Sequence, residues 1–161
     1  MIGEEIIDIH FTLNFPAKII FDFIIQAKNM PLFNGFLLIP GIKYVDSSDS
    51  IRKVGTLDKI TNTDGSSHES TTDVLEPGKR YALSLRNVQM TGFKKKLANP
   101  IVGFREDWIF SENADHSTTI DRSLVIIYKK GFFNSLFITF FVRPQMLFSL
   151  LKHHQNLLKN L

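Results

Sequence analysis

Residues 132–161 read FFNSLFITFFVRPQMLFSLLKHHQNLLKNL, and nothing in them but Pro144 interrupts a helix. From Met146 the helix is amphipathic. Leu147, Leu150, Leu151, Leu157, Leu158 and Leu161 share one side, while Lys152, Gln155, Asn156 and Lys159 point away. His154 falls on the leucine side, where its polar tip is expected to reach a partner on a sheet. The first two-thirds, Phe132–Leu151, have the length of a membrane span, about 20 residues. Against a span, Arg143 and Pro144 sit in its second half, and Ser135, Thr139 and Arg143 recur every four residues as a thin polar stripe. A charge at mid-helix and a single polar stripe favour a mostly buried helix of a soluble protein.

Upstream, Gly131 closes a long β region. Ser117–Tyr128 and Val102–Ser111 flank the polar turn Asn113-Ala114-Asp115-His116. Arg80–Thr91 precedes a loop carrying Lys94, Lys95, Lys96 and Asn99-Pro100. Ser67–Leu75 ends at Pro77-Gly78, the dipeptide of a type II turn. Val54–Thr61 runs into Asp64-Gly65, a hairpin signal, and Ile42–Val45 is a further short strand. At the N-terminal end Ile7, Ile9, Phe11, Leu13 and Phe15 alternate with Asp8, His10, Thr12 and Asn14, a half-buried strand. Pro16 opens a helix with Ile19, Ile20, Phe23 and Ile24 as its apolar face, and Asn29-Met30-Pro31 begins a second short one. Without repeats or a linker, residues 1–161 read as a single α+β domain.

At 161 residues with 15 Phe, the chain is large enough to bury a sizeable core. Its mean hydropathy is 0.00 and its pI near 9.2. The net charge of +3 is too small to argue for nucleic acid as a partner. The absence of cysteine excludes disulfides, thiolate metal sites and a cysteine nucleophile. The acidic start, Met1-Ile-Gly-Glu-Glu, lacks the apolar run of a signal peptide, so a cytoplasmic location is expected. His10, His68, His116, His153 and His154 make no metal pattern; the last two are adjacent and point about 100° apart on a helix. No phosphate-cradling glycine loop, nucleophile elbow or metalloprotease motif is present, so no metal and no cofactor is expected.

The order of strand, two short helices, about six antiparallel strands and a long terminal helix resembles the START/SRPBCC superfamily, which includes pollen allergens, polyketide cyclases and lipid-transfer domains. Local stretches are similar too. Phe15-Pro16-Ala17-Lys18-Ile19-Ile20-Phe21-Asp22-Phe23-Ile24 looks like that superfamily's first strand-to-helix junction. Asn29-Met30-Pro31-Leu32-Phe33-Asn34 occupies its second helix, with Phe33 where Trp is usual. Pro77-Gly78-Lys79-Arg80-Tyr81 resembles a family turn, and Leu150–Leu161 its closing helix. The resemblance implies a helix-grip fold, a curved antiparallel sheet gripping the last helix around a pocket. Because these motifs are structural, they leave activity open.

In such a fold Ile7, Ile9, Phe11, Phe104, Trp108, Phe137, Phe141 and Leu151 are expected to line the pocket, unless the phenylalanines fill it as an ordinary core. Glu106 shares a strand face with Phe104 and Trp108, so it joins the ligand-facing set as a candidate acid or base. A Glu–Arg ion pair with neighbouring Arg122 is the competing, structural reading. Consecutive hairpins would bring Lys94, Lys95, Lys96, Lys129 and Lys130 to one end, beside Phe132 and Phe133. The resemblance makes that end the pocket entrance, suited to an anionic membrane surface; solvated loop lysines are the alternative. The expected partner is therefore a hydrophobic small molecule such as a lipid, quinone or polyketide. A cyclase acting in the same pocket, or a module docking on a membrane or partner, are the alternatives.

Overall fold

The computed structural model describes residues 1–92, 94–97 and 99–161, with backbone only at Lys94 and Leu97. In chain order the elements are β1 (Ile2–Leu13), α1 (Ala17–Ile24), a 3-10 turn (Ala27–Leu32), β2 (Gly35–Phe36), β3 (Ile39–Pro40), β4 (Ile42–Ser47), β5 (Leu57–Asn62), β6 (Ser67–Glu76), β7 (Arg80–Gln89), α2 (Lys94–Leu97), β8 (Ile101–Glu112) and β9 (Thr118–Lys129). The C-terminal helix follows as α3 (Phe132–Phe137), a π-helical turn (Ile138–Val142) and α4 (Arg143–Asn160). Seven strands form one sheet in the order β1-β9-β8-β7-β6-β5-β4. All its pairings are antiparallel. The N-terminal strand thus returns beside the last one, and the terminal helix lies across the concave face.

Two hairpins of this sheet, β5–β6 and β8–β9, use one turn twice. Asn62-Thr63-Asp64-Gly65-Ser66 and Asn113-Ala114-Asp115-His116-Ser117 share an N-x-D-x-S pattern. In each, the asparagine N–H donates to the serine carbonyl at 2.8 Å. Each serine N–H and hydroxyl donate to the aspartate Oδ1, at 3.0 and 2.6 Å. The fourth residue must be left-handed: Gly65 has φ +81° and His116 φ +62°. Glycine takes that conformation freely, and histidine does so at a cost. A third turn is closed by Lys79 N–H donating to the Glu76 carbonyl at 2.9 Å, with Gly78 at φ +67°, as the Pro-Gly dipeptide predicts.

Packing corrects several expectations about faces. Helix α1 buries Ala17, Ile20, Phe21 and Ile24 and leaves Ile19 on the outside. Lys18 and Asp22 mark one wet side of α1, but the apolar arc is too wide for the sequence to fix its centre; the Phe21 ring meets Phe110 of β8 edge-on at 5.6 Å. Strand β5 starts at Leu57 rather than Val54, because Gly55 turns the chain at φ +87°. The small β2–β3 hairpin was not foreseen; Gly35 is required there, since a Cβ would meet the Ile39 carbonyl at 2.2 Å.

The helix expectation needs the largest revision. The inner face is Ile138 and Val142, both buried in the core, and the polar stripe runs along the rim beside them: Ser135 lies 3.4 Å from the Tyr128 hydroxyl, exposed Thr139 Oγ1 3.4 Å from Glu5, and Arg143 pairs with Glu5 at 3.0 Å. The segment is therefore not mostly buried. Only 28% of its most apolar window is inside, although by length and composition it passes for a membrane span. Pro144 has no N–H for the carbonyl of Phe140, and the helix loosens into the π turn just before it. In α4 the buried positions are Met146, Ser149, Leu150, His153 and Leu157, so Leu151 and Leu158 stand on the outer side.

The repeated turn yields a paired test. Gly65→Ala should lower the melting temperature and His116→Gly raise it, each by about 2–4 °C per kcal/mol of left-handed strain. Thermal unfolding followed by circular dichroism checks both signs; a stabilising Gly65→Ala would contradict the turn assignment.

Candidate functional site

Alternation along the strands decides what reaches the space beneath the helix. Rows run across the concave face: Ile9, Arg122, Trp108 and Tyr81 are successive cross-strand neighbours, and Ile7, Leu124, Glu106 and Leu83 form the next row. Two apolar clusters result. One gathers Leu13, Ile20, Phe21, Trp108, Phe110 and Leu157; the other gathers Ile7, Ile9, Leu124, Ile126, Ile138 and Leu150.

Arg122, flanked by Leu124 of one cluster and Trp108 of the other, is the most buried charge at their seam, its side chain 3% exposed. Its guanidinium pairs with the Glu106 carboxylate on β8 and lies over the Trp108 ring, 4.0 Å from the centroid. It also donates to His153 Nδ1 of α4 at 3.1 Å, joining helix to sheet. Burial first, then the charge of Arg122 and of His154, holds the His153 imidazole well below its ordinary pKa, so it accepts this bond as a neutral ring. Burial likewise lowers Arg122, with Glu106 opposing the shift. Glu106 thus faces inward as its alternation predicts, with its carboxylate committed to Arg122.

A second buried ion pair sits across the sheet. Arg52, in the loop before β5, pairs with Asp58 and donates to the Tyr81 hydroxyl at 2.9 Å. Burial pushes Asp58 up and Tyr81 up to about 12. Beside this pair, His68 accepts from Asn62 Nδ2 at 3.4 Å through Nδ1, which assigns its proton to Nε2. That Nε2 is buried without a partner, as is Arg52 Nε. Burial lowers the His68 pKa to about 4.

Between the two ion pairs lies a cavity of about 160 Å³, with wall residues from the sheet, α4 and the β2–β3 region. Both Arg52 and Arg122 reach its wall, as do Tyr81, His68 and His153; the remainder is predominantly aliphatic and aromatic. Of the residues expected at the pocket, Phe104, Glu106 and Trp108 line it. Ile7, Ile9, Phe11 and Phe137 belong to the packed clusters and do not line it. Phe141 and Leu151 are corrections: both are exposed, because Ile138, Val142 and the Met146–Leu157 face take the inner side. His153, rather than His154, reaches the sheet through a hydrogen bond; His154 packs its ring on Phe11 at 4.0 Å, and its Nδ1 has no partner. Sequence reasoning missed Arg52, His68 and Tyr81 as wall residues. Their inward alternation on β6 and β7 signals the last two, while a loop arginine carries no periodic signal.

The loops at the lysine-rich end do meet. Thr91 donates to the Asp64 carbonyl at 3.0 Å, Lys129 N–H to Pro100 at 2.8 Å, and Lys130 N–H to Met1 at 3.0 Å. Lys95, Lys96, Lys129, Phe132 and Phe133 are exposed there, and the side chain of Lys94 lies outside the described residues. None of those five exposed residues lines the cavity; Met90 and Ile101, on either side of the loop, do. A second depression, between α1 and residues 47–52, is open and mostly polar. Among the described residues no group of three or more His, Asp or Glu is placed to hold a metal ion.

Neutral His153 has a sign-definite consequence. Its unfolded pKa is the ordinary 6.5 and its folded value lies well below, so the unfolded chain takes up the proton as pH falls through 6.5 and the folded one does not. Its contribution is present above that pH and lost below it; His68 and His154 act in the same sense, Asp58 in the opposite one. Urea unfolding at pH 7 and pH 5 should show His153→Gln losing about 2 kcal/mol less than the parent over that interval. Equal losses would mean that His153 titrates normally in the fold.

No protein-family profile and no curated protein sequence matches the chain. Solved structures do. Ara h 8.0201 superposes with a TM-score of 0.66 at 14% identity, covering 98% of this chain and 100% of that one. Truncated norcoclaurine synthase from Thalictrum flavum gives 0.66 at 14% identity, over 99% and 94% of the two chains. The same synthase in complex with dopamine and hydroxybenzaldehyde gives 0.64 at 13%, over 99% and 87%. With the curved seven-stranded sheet and the long terminal helix on its concave face, the chain has the helix-grip fold of these structures.

Proposed function

We propose that the protein binds or carries a hydrophobic small molecule bearing a hydrogen-bond acceptor, a ring of the quinone or polyketide kind, between its sheet and its terminal helix. The supporting observation is a largely apolar cavity with two buried, unpartnered donors in its wall residues, His68 Nε2 and Arg52 Nε. A buried donor left unpaired costs free energy that a ligand carbonyl would recover. The size argues for a ring over a bulky lipid. At about 160 Å³ the cavity matches one that accepts a benzene-sized guest, about 150 Å³, whereas pockets for larger ligands run to about 300–1,000 Å³. A long chain attached to the ring would have to leave past Met90 and Ile101, toward the lysine-rich loop.

Catalysis in the same cavity is the second reading, and the likeness to norcoclaurine synthase favours it. Glu106 is the cavity-lining carboxylate it would use, and Glu106→Gln abolishing turnover of a ring substrate would support that role. The neutralisation of Glu106 by Arg122 instead favours binding without chemistry.

Native mass spectrometry of protein purified from cells should show a co-purifying apolar small molecule. Leu85→Trp, which places an indole in the cavity wall, should abolish that adduct without lowering the melting temperature. Protein that is empty from every source, and whose melting temperature ignores quinones and aromatic ketones, would overturn the proposal.

A further inference from the structure

The terminal helix is apolar on its outer side as well as its inner side over its first turns. In an ordinary surface helix the apolar face packs on the core and the polar face meets water. Between residues 132 and 143 Ile138 and Val142 are buried against the sheet, and Ser135, Thr139 and Arg143 flank them along the rim, against Tyr128 and Glu5. The aromatic residues meet solvent instead: Phe132 is 74% exposed, Phe133 81%, Phe140 66% and Phe141 59%. Leu136, Phe148 and Leu151 continue this face along the helix. Four exposed phenylalanines in ten residues go beyond the scattered surface apolars every protein shows, and a contiguous patch of this kind marks an interaction surface.

Charge selects the partner. From Arg122 to the end, 40 residues contain no Asp or Glu and six Lys or Arg. Lys129 and Lys130 stand at the head of the helix beside Phe132, and Lys95 and Lys96 lie in the adjoining loop. Among the described residues no ion pair involves any of these four lysines. A face of phenylalanines rimmed by these cations, on a stretch of chain that carries no acid of its own, complements a bilayer with anionic headgroups. A second copy of the same face would bring cations against cations. The ion pair of Arg143 with Glu5 ties the helix to β1, so it would lie along a surface rather than cross it.

We propose that the outer face of residues 132–148, with Lys129 and Lys130, seats the protein on an anionic lipid bilayer through its phenylalanines. The seat is separate from the cavity, since neither Phe133 nor Phe140 lines it, and it stands whether or not the cavity holds a ligand.

Co-sedimentation with vesicles of phosphatidylcholine, pure or mixed with phosphatidylglycerol, tests this on the whole chain. The parent should pellet with the anionic vesicles and remain in solution with the neutral ones. Lys129→Ser with Lys130→Ser should weaken binding about fivefold per lysine. Phe133→Ser with Phe140→Ser should weaken it more than about tenfold, with an unchanged melting temperature because both positions are exposed. Three results would overturn the proposal: no pelleting of the parent with either vesicle, unchanged binding of the Phe variant, or a dimer in sedimentation velocity that the Phe variant dissolves while vesicle binding is absent.

Discussion

A guanidinium buried at the centre of an apolar fold is the constraint on which the rest of this structure depends. Arg122 cannot shed its proton at any ordinary pH, so every neighbour must accommodate a positive charge. Glu106 neutralises it, Trp108 offers a ring face, and His153 accepts its remaining donor from the helix side. These contacts fix the height and rotation of α4 above the sheet more narrowly than interchangeable leucines would. They also separate the two apolar clusters, which cannot close over a charge. The cavity is the space left between this joint and the second ion pair, Arg52–Asp58.

That arrangement explains why a chain so rich in phenylalanine has an open interior. Several of its fifteen Phe are turned outward because Ile138, Val142 and Met146 take the inner face of the helix, with Ser135, Thr139 and Arg143 along its rim. The rotation that keeps this aromatic bulk out of the core also creates the outer apolar face. Cavity and exposed helix face are therefore two results of one choice of helix rotation.

Much of the fold was legible in the sequence because it depends on short-range patterns. Period-two alternation located the strands, Asp64-Gly65 and Pro77-Gly78 located turns, and the leucine-rich end located the helix. The site was less legible. Counting leucines pointed to Leu151 and Leu158, yet the buried face carries Ser149 and His153, whose polar groups are satisfied by Gln145 and Arg122. No local pattern reports such a long-range partner. Phe141 misled because this stretch is apolar on nearly all sides, and the tertiary fold puts Ile138 and Val142 inside in its place. Glu106 and Trp108 share the cavity side because β8 alternates without interruption through them. Arg52 sits in a loop and finds Asp58 only through the tertiary fold.

The stability of Arg122→Met, measured by urea unfolding alongside the double variant Arg122→Met/Glu106→Leu, tests the central joint most directly. The account predicts that the single change costs about 3–5 kcal/mol, because it strands the Glu106 charge, and that the double change recovers most of the loss. A single change costing less than about 1 kcal/mol, or a double change no better than the single one, would contradict it.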